Sequence, residues 1–300
     1  MKDGEASMTA LTVAQGVLYS ASRPELAGLV PREAIEAYRE ILSSSPAGQK
    51  RLRQLNNPLF RFLIPVQERL IMRGITLHYV LRKKYIEDQA RKALAAGCRQ
   101  VVNLGAGLDS LLYRLAKEYP DLNFFELDHP ATNALKQSFL RKTDFSQKNL
   151  HLLPADFTKT TAEKELSPHP AFRNGTETFF ILEGVSMYLN EEEVRELFQS
   201  LNRLAGGRAS IVFTYLNARR EGSYSYGPLL KLYLKFKSEA LFWKIAPEDL
   251  PAFLESMGFK LTAGANAQDL LRQFLPDKKN MRSHEGELMA LTDSGNIQRS

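Results

Sequence analysis

A chain of 300 residues with 44% apolar composition can bury a large core, enough for one large domain or two small ones. Forty basic against 34 acidic side chains leave a formal charge of +6, and the basic residues are dispersed rather than gathered in an arm, which argues against a nucleic-acid partner. One cysteine, Cys98, excludes an internal disulfide and a thiolate metal site; no apolar run approaches the ~18 residues that span a bilayer, and without a basic, apolar and small-residue leader the expected location is cytoplasmic, with no membrane partner.

Residues 1–7 are polar. Leu11, Ala14, Val17 and Leu18 set a helical spacing over Thr9–Tyr19, and Pro31 opens a second helix running to about Leu42. The SSSPAG stretch at 43–48 reads as a loop, and 58–73 and 75–96 as two more helices, the second amphipathic through Ile75, Tyr79, Ile86, Ala90 and Leu94. Residues 1–97 thus form a helical cap ahead of the first strand. A nucleotide-binding sheet does not need it, so it is expected to cover something. Within it, Leu81-Arg82-Lys83-Lys84-Tyr85-Ile86 reads by composition as a solvated basic face.

Val101–Leu104 is a short buried strand followed by Gly105-Ala106-Gly107 and a helix spaced by Leu111, Leu112, Leu115, Ala116 and Tyr119. A glycine turn between strand and helix lets the backbone approach a bound cofactor and leaves helix N–H groups facing it. Asp109 or Ser110 is placed to cap that helix. The second strand, Leu122–Leu127, ends at Asp128, 23 positions after Gly105 and close to the ~20-residue offset of a ribose-binding carboxylate. Gly-x-Gly alone is a weak signal; with Asp128 it points to an adenosine-type ligand. Ser110 stands where a dinucleotide fingerprint has Gly or Ala, which counts against NAD.

A helix over about Ala131–Arg141 leads to a third strand, His151–Pro154, and then Ala155-Asp156-Phe157. In a doubly wound sheet the tips of successive strands share one crevice, so Asp156 belongs near Asp128. Asp156 can accept from an adenine amino group while the Phe157 N–H and ring meet the base; the plainer reading of Asp156 is a helix cap. His169, between two prolines, has no matching second ligand, and no metal is expected. The fourth strand, Thr178–Leu182, ends in Glu183-Gly184-Val185-Ser186-Met187-Tyr188-Leu189. Asn190 then caps a helix whose first turn holds Glu191, Glu192 and Glu193.

Gly206-Gly207 ends that helix and Ala209–Tyr215 is the fifth strand. Residues 218–244, aromatic and basic through Arg219, Arg220, Tyr224, Tyr226, Trp243 and Lys244, read as a lid inserted after a strand tip. A helix over Pro247–Met257, a strand near 259–263 and a last strand over Gly286–Leu291 complete an α/β core made of 98–217 and 245–300. With no internal repeat or long linker, the chain is expected to be a single domain.

Three segments, VVNLGAGLDSLLYRL, FFELDHPAT and FFILEGVSMYLNEEEV, resemble the leucine carboxyl methyltransferase family, including bacterial members similar to polyketide carboxyl O-methyltransferases. The resemblance runs, more faintly, from about Thr9 to Phe259. It implies a class I S-adenosylmethionine (SAM)-dependent methyltransferase fold: a seven-stranded, mostly parallel Rossmann-like sheet with helices on both faces and a late antiparallel hairpin. It implies SAM as cofactor, returned as S-adenosylhomocysteine, and no metal. Gly105, Ala106 and Gly107 would line the cofactor, with Asp128 on the ribose and Asp156 and Phe157 on the adenine. Arg82 would pair with the cofactor carboxylate through a two-bond fork, with Lys83 and Lys84 as rivals, and Glu183 would balance its ammonium or sulfonium. Asn103 and Asp109 stand where many other SAM enzymes carry an acid and a third glycine.

The implied reaction is methyl transfer to oxygen. The first-choice acceptor is a carboxylate of a small molecule or a peptide C-terminus, with a hydroxyl as the other option. A carboxylate is already anionic near neutral pH and needs no general base. This agrees with the lack of a Ser/His/Asp or paired-carboxylate signature, and with five histidines of which none falls at a strand tip near Glu183. Tyr188, Tyr215 and Arg219 are candidates for positioning the acceptor. The rival readings are an NAD(P)-dependent oxidoreductase and a non-catalytic SAM-binding protein; monomer and homodimer both stay open.

Overall fold

The computed structural model describes residues 7–143, 145, 147–218, 241–278 and 280–295. Its first hundred residues are helical: α1 (Met8–Ala21), a 3-10 turn (Pro24–Leu26), α2 (Arg32–Ser43), α3 (Pro46–Asn56), α4 (Pro58–Leu70) and α5 (Ile75–Ala95). Side-chain caps mark the starts. Ser7 accepts from the Ala10 N–H at 3.2 Å, Ser45 from Gly48 at 3.1 Å, and Asn57 from Leu59 at 2.9 Å. The helix α3 begins inside the stretch read as a loop, because Ser45-Pro46 is a cap followed by a first-turn proline rather than a break. Only Gly48 and Leu55 of α3 are buried, so its apolar spacing is nearly silent.

The rest alternates strand and helix: β1 (Gln100–Leu104), α6 (Leu111–Glu118), β2 (Asn123–Asp128), α7 (Pro130–Lys142), β3 (Leu150–Pro154), α8 (Ala162–Leu166), β4 (Thr178–Leu182), a 3-10 turn (Ser186–Tyr188), α9 (Glu191–Leu204) and β5 (Ala209–Asn217). Then come the two-residue β6 (Lys244–Ile245), α10 (Leu250–Glu255), β7 (Phe259–Ala265), α11 (Ala267–Phe274) and β8 (Glu287–Ser294). The sheet order is β3-β2-β1-β4-β5-β8-β7, with β6 paired to the end of β5. Strands β1 to β5 run parallel, while β8 is antiparallel to both β5 and β7.

Both faces of this sheet are covered, so its central strands are apolar at consecutive positions. On β1 and β4, Val102, Leu104, Phe180 and Leu182 pack with α9 and α10. Val101, Phe179 and Ile181 pack with α5, α6 and α11 on the other side. A third cluster joins α1 and α2 to Val80 of α5 and Phe139 of α7. Helix α5 is buried on most sides, and its buried charges are paired: Glu87 takes Arg114 of α6 through two bonds, 2.8 and 2.7 Å. Among the described residues no helix is long and apolar enough to cross a membrane.

His169 does have an imidazole neighbour. The ring of His151, on β3, lies 4.7 Å from it and stacks on Phe125 at 4.8 Å. Among the described residues no group of three His, Cys, Asp or Glu side chains is placed to hold a metal. Burial, and then the neighbouring His169, pull the His151 pKa down to about 4; burial, and then His78, do the same to His284, also to about 4. Both folded values lie below the ordinary 6.5, so the unfolded chain takes up these protons first. Their contribution to stability is full above about pH 6.5 and is lost as the pH falls towards 4. Thermal melts should therefore drop across that window, and drop less in His151→Gln; a flat melting temperature between pH 6.5 and 4 would contradict the burial of these rings.

Candidate functional site

The C-terminal ends of β1, β2 and β4 meet where the strand order reverses between β1 and β4, the place where open α/β sheets bind ligands. The turn after β1 is pinned to β2 by three backbone N–H groups. Gly105 and Ala106 donate to the Leu127 carbonyl at 2.8 and 3.3 Å, and Gly107 donates to Asp128 Oδ2 at 2.6 Å. Burial pushes the Asp128 carboxyl pKa up, against the Gly107 N–H and the neighbouring Lys136, His129 N–H and Thr132 hydroxyl, which lower it. The cap of α6 belongs to Asp109, whose Oδ1 accepts from the Leu111 N–H at 3.0 Å, whereas the buried Ser110 hydroxyl has no partner among the described residues. Asn103 opposes Glu126 of β2 in register, and Glu126 pairs with buried Lys136.

Gly105 has φ +68°, and a Cβ there would sit 2.6 Å from Val185 Cγ2. Gly105→Ala should cost about 1–2 kcal/mol for the left-handed conformation alone, with the Val185 clash in addition. Val185→Ala should relieve only the second part, which melts of the single and double variants would separate. Over the same turn, a Cβ at Gly107 would meet Ala10 of α1 at 3.4 Å, and the Ser7 N–H donates to Thr132 Oγ1 at 3.3 Å. The cap therefore reaches the glycine turn.

At the β4 tip the structure gathers a buried ion network. Arg82 donates from Nε to Glu183 Oε1 at 2.8 Å, with Nη2 2.7 Å from the same oxygen, and from Nη1 to both oxygens of Glu287, at 2.9 and 2.7 Å. Lys83 Nζ lies 2.8 Å from Asp109 Oδ2 and 3.0 Å from Glu183 Oε1. The run read as a solvated basic face is therefore turned inward: Arg82 is 6% exposed. Lys84, the other rival, pairs with Asp88 on its own helix at 2.7 Å. Burial works against the charges on Arg82, Lys83, Asp109 and Glu287, and their partners override it. Glu287 and Glu183 keep Arg82 protonated, and Lys83 holds the Asp109 carboxyl well below the usual carboxylate range. Arg82 and then His78 do the same for Glu287.

His78 and Glu287 were not legible as site residues. His78 Nε2 meets Glu287 Oε2 at 2.9 Å, so a histidine does come close to Glu183, through α5 rather than a strand tip. It is fully buried and turned to Glu287. Its spacing four residues before Arg82 places both on one helix face, the only sequence signal that could have joined them.

Asp156 acts as a turn cap: its Oδ1 accepts from the Thr158 hydroxyl and N–H at 2.7 and 3.1 Å, and Lys159 lies 3.0 Å from Oδ2. Those bonds, the hydroxyl's first, hold its carboxyl well below the usual range. Next to it Phe157 is 39% exposed, an uncovered ring at the crevice. Tyr188 lies in the 3-10 turn after Glu183. Tyr215 is buried, 6.5 Å from Trp243, and burial raises its phenol to about 12. Arg219 and most of the segment read as a lid, 219–240, lie outside the described residues; its return is anchored by Phe242, whose N–H donates to the Met187 carbonyl at 2.8 Å.

This set fits a nucleoside joined to a zwitterion. Asp128 holds the N–H of a glycine turn that has no room for a Cβ at 105, Phe157 offers a bare ring, and the β4 tip holds cations and carboxylates in one buried cluster. SAM has these parts. The model of the leucine carboxyl methyltransferase family matches residues 33–202, more than half of the chain. YktD of Bacillus subtilis (strain 168), provisionally named a SAM-dependent methyltransferase, is 40% identical over 135 residues, 45% of this chain and 44% of that protein. A similarly named protein of Parafrankia sp. (strain EAN1pec) is 33% identical over 130 residues, 43% of this chain and 41% of that protein. The chain thus matches less than half the length of these relatives. Among solved structures, a provisionally named methyltransferase of Thermobifida fusca YX aligns with TM-score 0.59 at 18% identity, over 90% of this chain and 97% of that one. A DUF574 family protein of Streptomyces avermitilis MA-4680 gives the same TM-score at 13% identity, over 86% and 97%. The fold is that of the class I SAM-dependent methyltransferases.

Proposed function

The chain belongs to the leucine carboxyl methyltransferase family, and from that premise we propose that it transfers a methyl group from SAM to a carboxylate oxygen of a small molecule or a peptide C-terminus. The observation that carries this reading is the Arg82–Glu183 pair buried at the β4 tip, beside the glycine turn that Asp128 organises. Both edges of the guanidinium already hold carboxylates. A cofactor carboxylate reaching the Nε and Nη2 edge takes the place of Glu183, and Glu183 is then free for the cofactor ammonium. Lys83 stays between Asp109 and Glu183 and answers the charge left behind. Asp128 accepts from the ribose hydroxyls, and Asp156 and Phe157 meet the adenine.

When bound, SAM supplies an electrophilic methyl group on a sulfonium. The acceptor oxygen donates an electron pair to that carbon as the carbon–sulfur bond breaks and its pair stays on sulfur. A carboxylate needs no proton removed, so what the chain supplies is alignment and exclusion of water. The carboxyl in the family's name supports this acceptor over a hydroxyl.

The test is incubation with methyl-labelled SAM, a panel of carboxylic acids and peptides with free C-termini, followed by mild base. Label released as methanol identifies a methyl ester. Base-stable label would move the acceptor to a hydroxyl or an amine, and SAM binding without any transfer would make the protein a non-catalytic binder.

A further inference from the structure

We propose that Glu287, backed by His78 and Thr214, is the positioning residue that holds Arg82 for the amino-acid end of the methyl donor. This rests on the donor-site reading of Arg82 and deepens it. Glu287 opens β8 and is 5% exposed, and both of its oxygens accept from Arg82 Nη1. Behind it, His78 Nε2 meets Oε2 at 2.9 Å, and the Thr214 hydroxyl, beside the same carboxylate, helps to hold its pKa down. Thr214 Oγ1 in turn accepts from the Gly184 N–H at 2.8 Å, and Gly184 directly follows Glu183. Neighbours therefore form a ring: Arg82 bonds to Glu183, the chain runs on to Gly184, Gly184 bonds to Thr214, and Thr214 lies beside Glu287, which bonds back to Arg82.

Two features of the ring point to positioning rather than to charge balance alone. Carboxylates on opposite edges of a planar guanidinium fix its plane and its rotation, whereas one carboxylate leaves it free to pivot. Glu287 also comes from 205 residues away in sequence, on a strand that β5 separates from β4 in the sheet order, so it constrains Arg82 independently of Glu183. A buried ion pair is poor value for stability, since well-packed apolar side chains do as well or better. Its retention at a ligand crevice is accounted for if Arg82 must be held in one orientation while Glu183 exchanges partners.

Glu287→Gln keeps the shape and one acceptor oxygen but removes the charge. With folding checked by thermal melts, KM for SAM should rise about ten- to a hundredfold, corresponding to 1.4–2.7 kcal/mol, while the acceptor KM moves less than about twofold. Placed in an Arg82→Lys background, Glu287→Gln should add less than about twofold, because the orientation it protects is already gone. His78→Gln, whose amide can still donate to Glu287, should show the same pattern more weakly and stands in if Glu287→Gln does not fold. Additive losses in the double variant, equal rises in both KM values, or no change in KM for SAM would each overturn the proposal. A wild-type chain that fails to bind SAM by calorimetry would overturn the donor-site reading itself, and the role of Glu287 with it.

Discussion

Replacing Arg82 by methionine is expected to cost about 3–5 kcal/mol of folding stability, the range for removing one partner from a buried ion pair. Glu183 and Glu287 would be left in the interior, with Lys83 reaching only the first of them. Arg82→Lys should recover part of this loss, because it restores a positive charge. It should not recover affinity for SAM, because an ammonium is a point charge and cannot serve two carboxylates on opposite edges of a plane. Urea unfolding would measure the first effect and titration calorimetry the second. A lysine variant that binds SAM as tightly as the parent would reduce Arg82 to a structural cation.

The second large effect is expected at Asp128. Asp128→Ala should weaken SAM binding by about 1.5–3 kcal/mol, the scale of a lost charged hydrogen bond, or about ten- to 150-fold. Part of that loss is local, since the Gly107 N–H loses its acceptor. Asp128→Asn keeps one acceptor oxygen for the turn while removing the charge, and should fall between the alanine variant and the parent. Unchanged affinity in both would remove Asp128 from the site.

Much of the fold was legible because its signals are local. The apolar runs of β1 and β4, the glycine turn, and the reciprocal cap in which Asn190 and Glu193 bond each other's backbone N–H all lie within a few residues of what they specify. Helix α11 carries an equally clear cap at Asn266 and Asp269, but its eight residues are too short to register against the flanking strands. The places of Gly105, Asp128 and Glu183 in the fold were legible for the same reason, since they sit at strand ends that the sequence itself marks. The residues behind Arg82 were not. Glu287 looks like an ordinary polar start to an apolar strand; only the insertion of β8 between β5 and β7 brings it to Arg82. His78 reads as one more residue on a helix, and the depth of α5 between cap and sheet is a tertiary fact.

That late insertion of β8 bears on how the protein is made. During synthesis α5 and the first five strands emerge long before Glu287, and until it arrives Arg82 has only Glu183 to pair with, on a sheet whose β5 edge is still open. A nascent chain stalled before β8 thus presents an unpaired strand edge beside a half-neutralised cation, a combination suited to chaperone capture rather than to early cofactor loading. Ligand-dependent protection should consequently appear only on chains long enough to include β8, and then all at once.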